Sequence, residues 1–396
     1  MFGLDHILSP VPVDDFLDNY KEERALHIPG TVDKFPDFFD WEQVNDQINF
    51  SRPSRESIRL IYEKQPLDGR HLAKLAEWMV KGATLVINSV QQIDPIVSRF
   101  STSLGRDLNA GINVNCYASY PSKQGFDCHY DGHDVFVIQT SGRKSWKVFG
   151  PTRQFPLDID TIPKGDPPEV DPYLECEMQV GDVLYIPRGH WHYAVATEPS
   201  VHLTVSYNQR SGIDFLLWLV EQLRNNDEFL RRDFPVAGIE LLGGGKPDDA
   251  FLQHVDNFRE RIREVIDKEN LIESFLQFSM IKNPVPRNFQ LPELALMKDA
   301  IRPDTVFTMA ADQKILARYD ETDDSGQLII RGHILNLNNV GREIVQALAG
   351  ANDDSSITGE SLQKLNPKAS WEDIKAMLVF LFENGILEVV PEKPGV

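Results

Sequence analysis

Cysteine is scarce. The 396-residue chain has three, Cys116, Cys128 and Cys176, too few for a disulfide framework and without a CxxC zinc pair. That usage fits a reducing cytosol. Positive charge is also short: 40 Lys+Arg stand against 60 Asp+Glu, a net charge of −20. Phosphate repels such a surface unless a basic patch is set apart, so a dedicated DNA or RNA binder is not expected. A basic protein or peptide is the natural partner. Long apolar runs are missing too. Phe215–Val220 and Met377–Phe382 are far too short to span a bilayer. The first ten residues lack a basic start followed by an apolar core, so a cytoplasmic protein without a signal peptide is expected. There is no HExxH motif, which removes the usual ligand pattern of a zinc hydrolase. Internal repeats and low-complexity segments are absent.

What is present divides the chain in three. The first hundred residues are mixed, with a short helix at Val13–Tyr20, a strand at Ala25–Gly30, a helix at His71–Val80 and a strand at Gly82–Asn88. From about Ile112 to Tyr207, seven short β-rich runs alternate with turns: Gly111–Ser119, Asp134–Thr140, Ser145–Phe149, Glu175–Val180, Val183–Ile186, His192–Ala196 and His202–Tyr207. That spacing predicts a barrel or sandwich, with a hairpin turn at Ser141–Lys144. From Gly212 the period turns helical. Phe215, Leu216, Leu219, Val220 and Leu223 form one apolar stripe. Phe251, Leu252, Val255, Phe258, Ile262 and Ile266 form another, after a break at Gly243–Asp248. Both stripes serve either the subunit's own core or a homodimer. Pro284, Pro286 and Pro292 mark a boundary. Beyond them, helices at Val340–Leu348 and Trp371–Phe382 and a strand at Gly385–Val390 suggest a winged-helix-like module. Residues 305–396 carry 8 Lys+Arg and 14 Asp+Glu. A DNA-reading module should be basic, so this one reads as structural. The domains expected are 1–210, 211–300 and 301–396.

Ten histidines occur, and two groups stand out. His129-Tyr130-Asp131 precedes the strand expected at 134–140. His190-Trp191-His192 follows the run Gly181–Gly189. Side chains at i and i+2 of an extended segment share a face, so His129 and Asp131 can hold one ion. A histidine from another strand would complete two imidazoles and a carboxylate, a facial triad that suits non-haem Fe(II). His190 and His192 compete for that place. His192 opens a strand and projects better into a barrel; His190 falls in the turn and reads as solvated or outside the ligand set. His133, near Asp131, could also approach the metal, but reads as a substrate-side or surface histidine.

The stretches Asn115–Asp131 and Val135–Trp146, with Gly181–His192 and His202–Ser206, resemble the Jumonji C oxygenases, and most of all their ribosomal oxygenase branch. The likeness is dense over residues 110–210 and consistent over Asp14–Gly30. It implies an α+β fold: a double-stranded β-helix (the Jumonji C or cupin barrel), a helical dimerisation region and a C-terminal winged-helix-like domain. It implies Fe(II) on His129, Asp131 and His192, which are then the catalytic residues, with 2-oxoglutarate and O2 as cosubstrates. Lys144, 15 residues after His129, matches the family's partner for the distal carboxylate. A buried dianion needs a fixed cation in any case, and lysine serves as a point charge. Arg143 beside it should face the other way. Asn115 and Tyr117 match positions that could hydrogen-bond the cosubstrate or the substrate backbone, and Thr204 is a further candidate. His202 reads as structural. Two departures leave the substrate open: several ribosomal arginine hydroxylases have arginine at the position of Lys144, and Cys128 replaces a common proline.

The activity implied is hydroxylation of a protein side chain, coupled to decarboxylation of 2-oxoglutarate to succinate and CO2. The substrate classes are a ribosomal protein, a biosynthetic peptide or a methylated lysine. A non-enzymatic cupin-like binding protein and a zinc hydrolase are the alternatives from other classes. The full metal triad with Lys144 speaks against the first, and the missing HExxH against the second.

Overall fold

A computed structural model describes residues 3–50, 57–121, 125–157, 165–234, 249–268, 270–282, 300–310, 316–320, 325–330, 333–338, 341–351 and 355–390. The chain divides into two units, one built on Met1–Gln209 and the other on Arg210–Ala310 and Ile315–Val396. The break expected at Gly243–Asp248 and the prolines at 284, 286 and 292 lie outside the described residues.

The first unit opens with α1 (Leu4–Leu8), α2 (Val13–Asn19), β1 (Leu26–Ile28), α3 (Trp41–Phe50), β2 (Ile58–Tyr62) and β3 (Gln65–Pro66). Then come α4 (Leu75–Val80), β4 (Thr84–Ile87) and α5 (Pro95–Leu108). Seven strands complete it: β5 (Gly111–Ser119), β6 (Asp134–Ser141), β7 (Lys144–Pro151), β8 (Leu174–Met178), β9 (Val183–Ile186), β10 (His190–Ala196) and β11 (Ser200–Asn208). They form two antiparallel sheets, ordered β1-β9-β6-β11-β5-β4-β2-β3 and β10-β7-β8. The run of short strands predicted a barrel or sandwich, and the arrangement is the cupin-type one that the resemblance implied.

The period of two decides which side chains reach which face. On β5, Val114, Cys116 and Ala118 join the main core, while Asn115, Tyr117 and Ser119 line a cavity on the opposite face. On β11, Leu203, Val205 and Tyr207 face the core, and His202, Thr204 and Ser206 the cavity. The two strands pair over their full length, with Thr204 opposite Asn115 and His202 opposite Tyr117, so the polar rows lie side by side. The main core is closed by α5. Asp94 caps that helix by accepting from the Ile96 and Val97 amides, Pro95 opens it, and Asn109 ends it in the left-handed region at φ 49°. Its buried residues Val97, Phe100, Leu104 and Leu108 form one stripe at helical spacing. Phe100→Ala there would cost about 3–5 kcal/mol. A smaller apolar cluster, including Val135, Val137, Trp146, Val148, Leu184 and Ile186, joins β6 and β9 of the large sheet to β7 of the small one.

Three local expectations need correction. Ser141–Lys144 is not a hairpin turn, because β6 and β7 belong to different sheets. Gly142 (φ +64°) turns the chain from one sheet to the other, and a Cβ there would run into the Pro199 carbonyl. The Arg143 carbonyl accepts from the Thr197 and Glu198 amides and fixes this corner. The helix expected at His71–Val80 begins as a 3-10 segment, Gly69–Lys74. Asp68 draws the Arg70 amide to its carboxylate and the His71 amide to its carbonyl, which tightens that turn. Finally, β10 begins at His190, opposite Pro151, with a register shift before His192.

The second unit contains α6 (Gly212–Asn226), α7 (Asp249–Ile266) and α8 (Leu271–Lys282). Ser211 and Asp214 form a capping box at the start of α6. The stripe expected over Phe251–Ile266 is kept at Phe251, Val255, Phe258 and Ile262, which are half-buried, and is joined by the buried Val265, whereas Leu252 and Ile266 are exposed. The helical region also breaks, because the polar run after Ile266 closes in i→i−3 turns, Lys268 to Val265 and Leu271 to Lys268. Val265, Leu271 and Phe275 then pack with Trp218 and Leu219 of α6. Further on come β12 (Phe307–Met309), the antiparallel sheet β13 (Leu316–Asp320), β14 (Ser325–Ile330) and β15 (His333–Asn338), α9 (Arg342–Ala349), α10 (Gly359–Leu365), α11 (Trp371–Glu383) and β16 (Leu387–Val389), which pairs with β12. Among the described residues no helix is long and apolar enough to cross a membrane.

Candidate metal centre

His129 and His192 face each other across a backbone bridge. The His129 amide donates to the His192 carbonyl at 3.1 Å, and the His192 amide donates back to the His129 carbonyl at 2.7 Å. Asp131 is tied to the same place, because its carbonyl accepts from the Gly189 amide at 2.9 Å. One potential ligand atom from each of His129, Asp131 and His192 lies within 4.8 Å of the other two.

The second nitrogen of each ring sets the chemistry. His129 Nδ1 lies 2.8 Å from the Asp127 carbonyl, and His192 Nδ1 lies 3.0 Å from the His190 carbonyl. A carbonyl only accepts, so both Nδ1 atoms carry a proton, and in the neutral, metal-binding form of each ring Nε2 keeps the lone pair. His192 Nε2 is then 3.7 Å from Asp131 Oδ2. Two imidazole lone pairs and a carboxylate converging this closely suit a divalent cation, and backbone acceptors on Nδ1 are how metal-binding histidines are commonly oriented.

The cavity as a whole, about 200 Å³, is lined from β4, β5, β6, β7, β10 and β11. Lys144 is buried in its wall. Its Nζ lies 3.4 Å from Ser119 Oγ and 3.4 Å from His202 Nδ1, and it makes no ion pair among the described residues. Burial pushes this amine down to about 7, with Cys116 acting weakly in the other direction. Arg143, next in the chain, points out to Glu177 and Glu198 at 3.6 Å each. Asn115 Oδ1 accepts from the Ser89 amide at 2.9 Å and from Asn113 Nδ2 at 3.4 Å. Its own NH2 is thus the group available to the cavity. The Tyr117 hydroxyl is pushed up to about 12, chiefly by burial and then by Asp131, so it stays protonated and able to donate. Thr204 lines the same wall opposite Asn115.

His133 also lines the cavity. Of the two readings of His190, solvated or outside the ligand set, the first fails. His190 is buried, and its Nδ1 accepts from the Tyr173 hydroxyl at 2.7 Å, while that hydroxyl accepts from the Ala25 amide at 2.8 Å. Burial pushes the ring down to about 4, so it stays neutral. His202, expected to be structural, lines the cavity. So do Ser119 and Thr84, whose hydroxyls are 3.1 Å apart. Sequence reading missed these three. The signal was the alternation on β5 and β11, where Ser119 follows Asn115 and Tyr117, and His202 precedes Thr204.

Comparison with known proteins gives the site a context. The family model described as "JmjC domain" matches residues 87–215, the segment holding all the residues just described except Thr84 and Ala25. Ribosomal oxygenase 1 of Rattus norvegicus is 27% identical over 280 residues, 66% of this chain and 46% of its own. The bifunctional lysine-specific demethylase and histidyl-hydroxylase NO66 of Drosophila yakuba is 28% identical over 373 residues, 84% of this chain and 52% of its own. The chain thus spans about half the length of these two relatives. An uncharacterized Bacillus subtilis protein, YxbC, is 28% identical over 241 residues, 54% of this chain and 73% of its own. Among solved structures, the Escherichia coli ribosomal oxygenase YcfD in complex with cobalt and 2-oxoglutarate superimposes with a TM-score of 0.62 at 18% identity, covering 96% of this chain and 98% of that one. At that identity the likeness shows the fold. Domain match, fold and named relatives agree: residues 87–215 match the JmjC domain, and the chain is similar to the ribosomal oxygenases.

Proposed function

We propose that the protein is an Fe(II)- and 2-oxoglutarate-dependent protein hydroxylase. The observation that carries this reading is the meeting, in one cavity, of a His/Asp/His donor set and a buried lysine with only neutral partners. In this reading His129, Asp131 and His192 hold the ferrous ion, and Lys144 receives the distal carboxylate of 2-oxoglutarate. When bound, iron and 2-oxoglutarate supply the oxidation, in which O2 is consumed, 2-oxoglutarate becomes succinate and CO2, and one oxygen atom enters a substrate C–H bond. The chain's own contribution is to bind, orient and exclude water. The sheets fix His129 and His192 through their backbone bridge. Lys144 brings a positive charge to a buried place in the cavity wall, and the Asn115 NH2 and Tyr117 hydroxyl present donors, with Thr204 opposite Asn115. Several relatives are named for ribosomal oxygenase or histidyl-hydroxylase activity. Together with the −20 charge, this supports a basic ribosomal protein as substrate, rather than nucleic acid or membrane. A cytoplasmic location accords with that substrate.

Three domains fit this reading: a catalytic barrel over 1–210, a helical dimerisation region over 211–300 and a winged-helix-like domain over 301–396. Ile213, Leu216, Leu217 and Val220 leave one side of α6 exposed, which supports a homodimer. Helices α9 to α11 with the β12–β16 pair support the winged helix.

The test is to incubate the protein with Fe(II), 2-oxoglutarate and a ribosomal protein fraction. Succinate should form, and some basic protein should gain the mass of one oxygen atom. Formaldehyde release without that gain would mark a demethylase, and no 2-oxoglutarate turnover in any fraction would overturn the reading.

A further inference from the structure

His202 is held more firmly than a packing residue needs. Its ring stacks on Tyr117, centroids 5.0 Å apart and planes 6° from parallel, and meets Trp146 edge-on at 5.5 Å. Both neighbours line the cavity. Tyr117 lies directly opposite His202 on the paired strand, so the stack is set by sheet register. What the two rings fix is the direction of Nδ1, which lies 3.4 Å from Lys144 Nζ.

An ammonium only donates. When Lys144 carries its proton, as an anionic ligand requires, His202 Nδ1 must therefore carry the lone pair, with the ring neutral. The second contact of Lys144 Nζ, Ser119 Oγ at 3.4 Å, is also to a neutral acceptor, and Thr84 Oγ1 holds that hydroxyl from 3.1 Å. Thr84 is in turn covered by Gly125, where a Cβ would run into its hydroxyl. Two of the three ammonium donors thus point at protein. A carboxylate in either place would neutralise the lysine and compete with an anionic ligand. Neutral acceptors at long distance aim the amine without satisfying its charge.

We infer that His202 is a positioning residue for the cosubstrate: with Ser119 it aims the Lys144 ammonium so that its remaining N–H meets the distal carboxylate. This rests on the reading of the cavity given above. It assigns His202 a role through Lys144 alone, with no part in holding the metal.

The test is calorimetric binding to protein loaded with Mn(II), using 2-oxoglutarate and pyruvate as probes. Pyruvate has the 2-oxo acid end but no distal carboxylate. His202→Phe keeps a ring against Tyr117 and loses the acceptor. It should weaken 2-oxoglutarate about tenfold, the equivalent of one lost hydrogen bond to a charged group, and leave pyruvate unchanged. His202→Asn restores an acceptor and should bring 2-oxoglutarate back to within about threefold of the parent. Ser119→Ala, an independent route to the same contact, should also weaken 2-oxoglutarate selectively. Equal losses for both probes, or an unchanged preference for 2-oxoglutarate in both His202→Phe and Ser119→Ala, overturn the inference. If Lys144→Ala weakens 2-oxoglutarate while the His202 and Ser119 variants do not, only this inference fails. If the parent protein does not bind 2-oxoglutarate at all, the functional reading fails with it.

Discussion

Two histidines two residues apart have been given different work by one strand. His192 turns Nε2 toward Asp131, and His190 turns Nδ1 toward the Tyr173 hydroxyl. His192→Ala should therefore lose bound metal by elemental analysis with little change in melting. His190→Ala should keep its metal and lose about 1–3 kcal/mol of stability, because the Tyr173 donor is left unpaired in a buried place. Metal lost by His190→Ala and kept by His192→Ala would reverse the assignment. Lys144 makes a second prediction, with a sign. In the unfolded chain its amine holds a proton up to its ordinary value of 10.5, and in the folded protein only to about 7. Between those values the unfolded state binds more protons, so the ligand-free protein should gain stability from this residue as pH rises. Lys144→Met should remove that pH dependence and melt higher than the parent at pH 7. It should also cease to bind 2-oxoglutarate. For the parent, affinity for the dianion should be level below pH 7 and fall above it, by up to about tenfold per pH unit, because the amine must then take up a proton. The charges facing it are few: His202 stays neutral, held well below its ordinary value by burial and then by Lys144, and the buried Cys116 thiol is pushed up by burial.

Strands β6 and β7 meet at a corner on which the lysine depends. Gly142 has a left-handed φ and backs onto the Pro199 carbonyl, and Lys144 begins β7 two residues later. Gly142→Ala should cost about 1–2 kcal/mol of stability. Because the same corner sets where Lys144 starts its strand, it should also weaken 2-oxoglutarate binding, while Arg143→Ala, on the outward side, should do neither. The strands themselves were legible in the sequence. Runs of β-forming residues located β5 and β9 to the residue; the family resemblance put Lys144 at the cavity, and the period of two put Arg143 outward, since that period survives whatever the partners are. The partners were not legible. Thr84, Ser119 and His202 come together only because β4 and β11 both pair with β5, and no local pattern encodes a register between segments so far apart in the chain. The end of β6 was misjudged for the same reason, because a glycine turn looks alike whether it joins neighbours in one sheet or hands the chain to another. In the helices, the apolar period predicted the stripes in part: Phe215, Leu219 and Leu223 join Trp218 and Phe275 in the core of this unit, while Leu216 and Val220 stay exposed, because the packing of Trp218 against Phe275 at 5.5 Å decides which side faces in.

Across the whole molecule, charge and uncovered apolar surface make separate predictions. A net charge of −20 should draw a basic substrate by long-range attraction. Its association rate should fall as salt is raised toward physiological strength and beyond, with turnover at saturation much less affected. A salt-independent rate, or tight binding to duplex DNA at physiological salt, would count against this. The exposed row on α6 should be covered by a second copy. Light scattering at micromolar concentration should then give a dimer, and Leu217→Glu should give a monomer that keeps its metal. A monomeric parent protein would refute the dimer without touching the chemistry of the site.

The reciprocal backbone bridge between His129 and His192 has a consequence for the identity of the bound ion. Peptide groups rather than the metal bring the two imidazoles together, so the donor set is in place before any cation arrives. Such a site should be stripped by a chelator and refilled without refolding. Imidazole and carboxylate donors bind zinc, nickel and copper more tightly than ferrous iron. In the proposed site, the ion bound should therefore depend on what the surroundings supply. Preparations from different growth media should contain different ions in the same fold, and reconstitution with iron under anaerobic conditions should precede any measurement of rate.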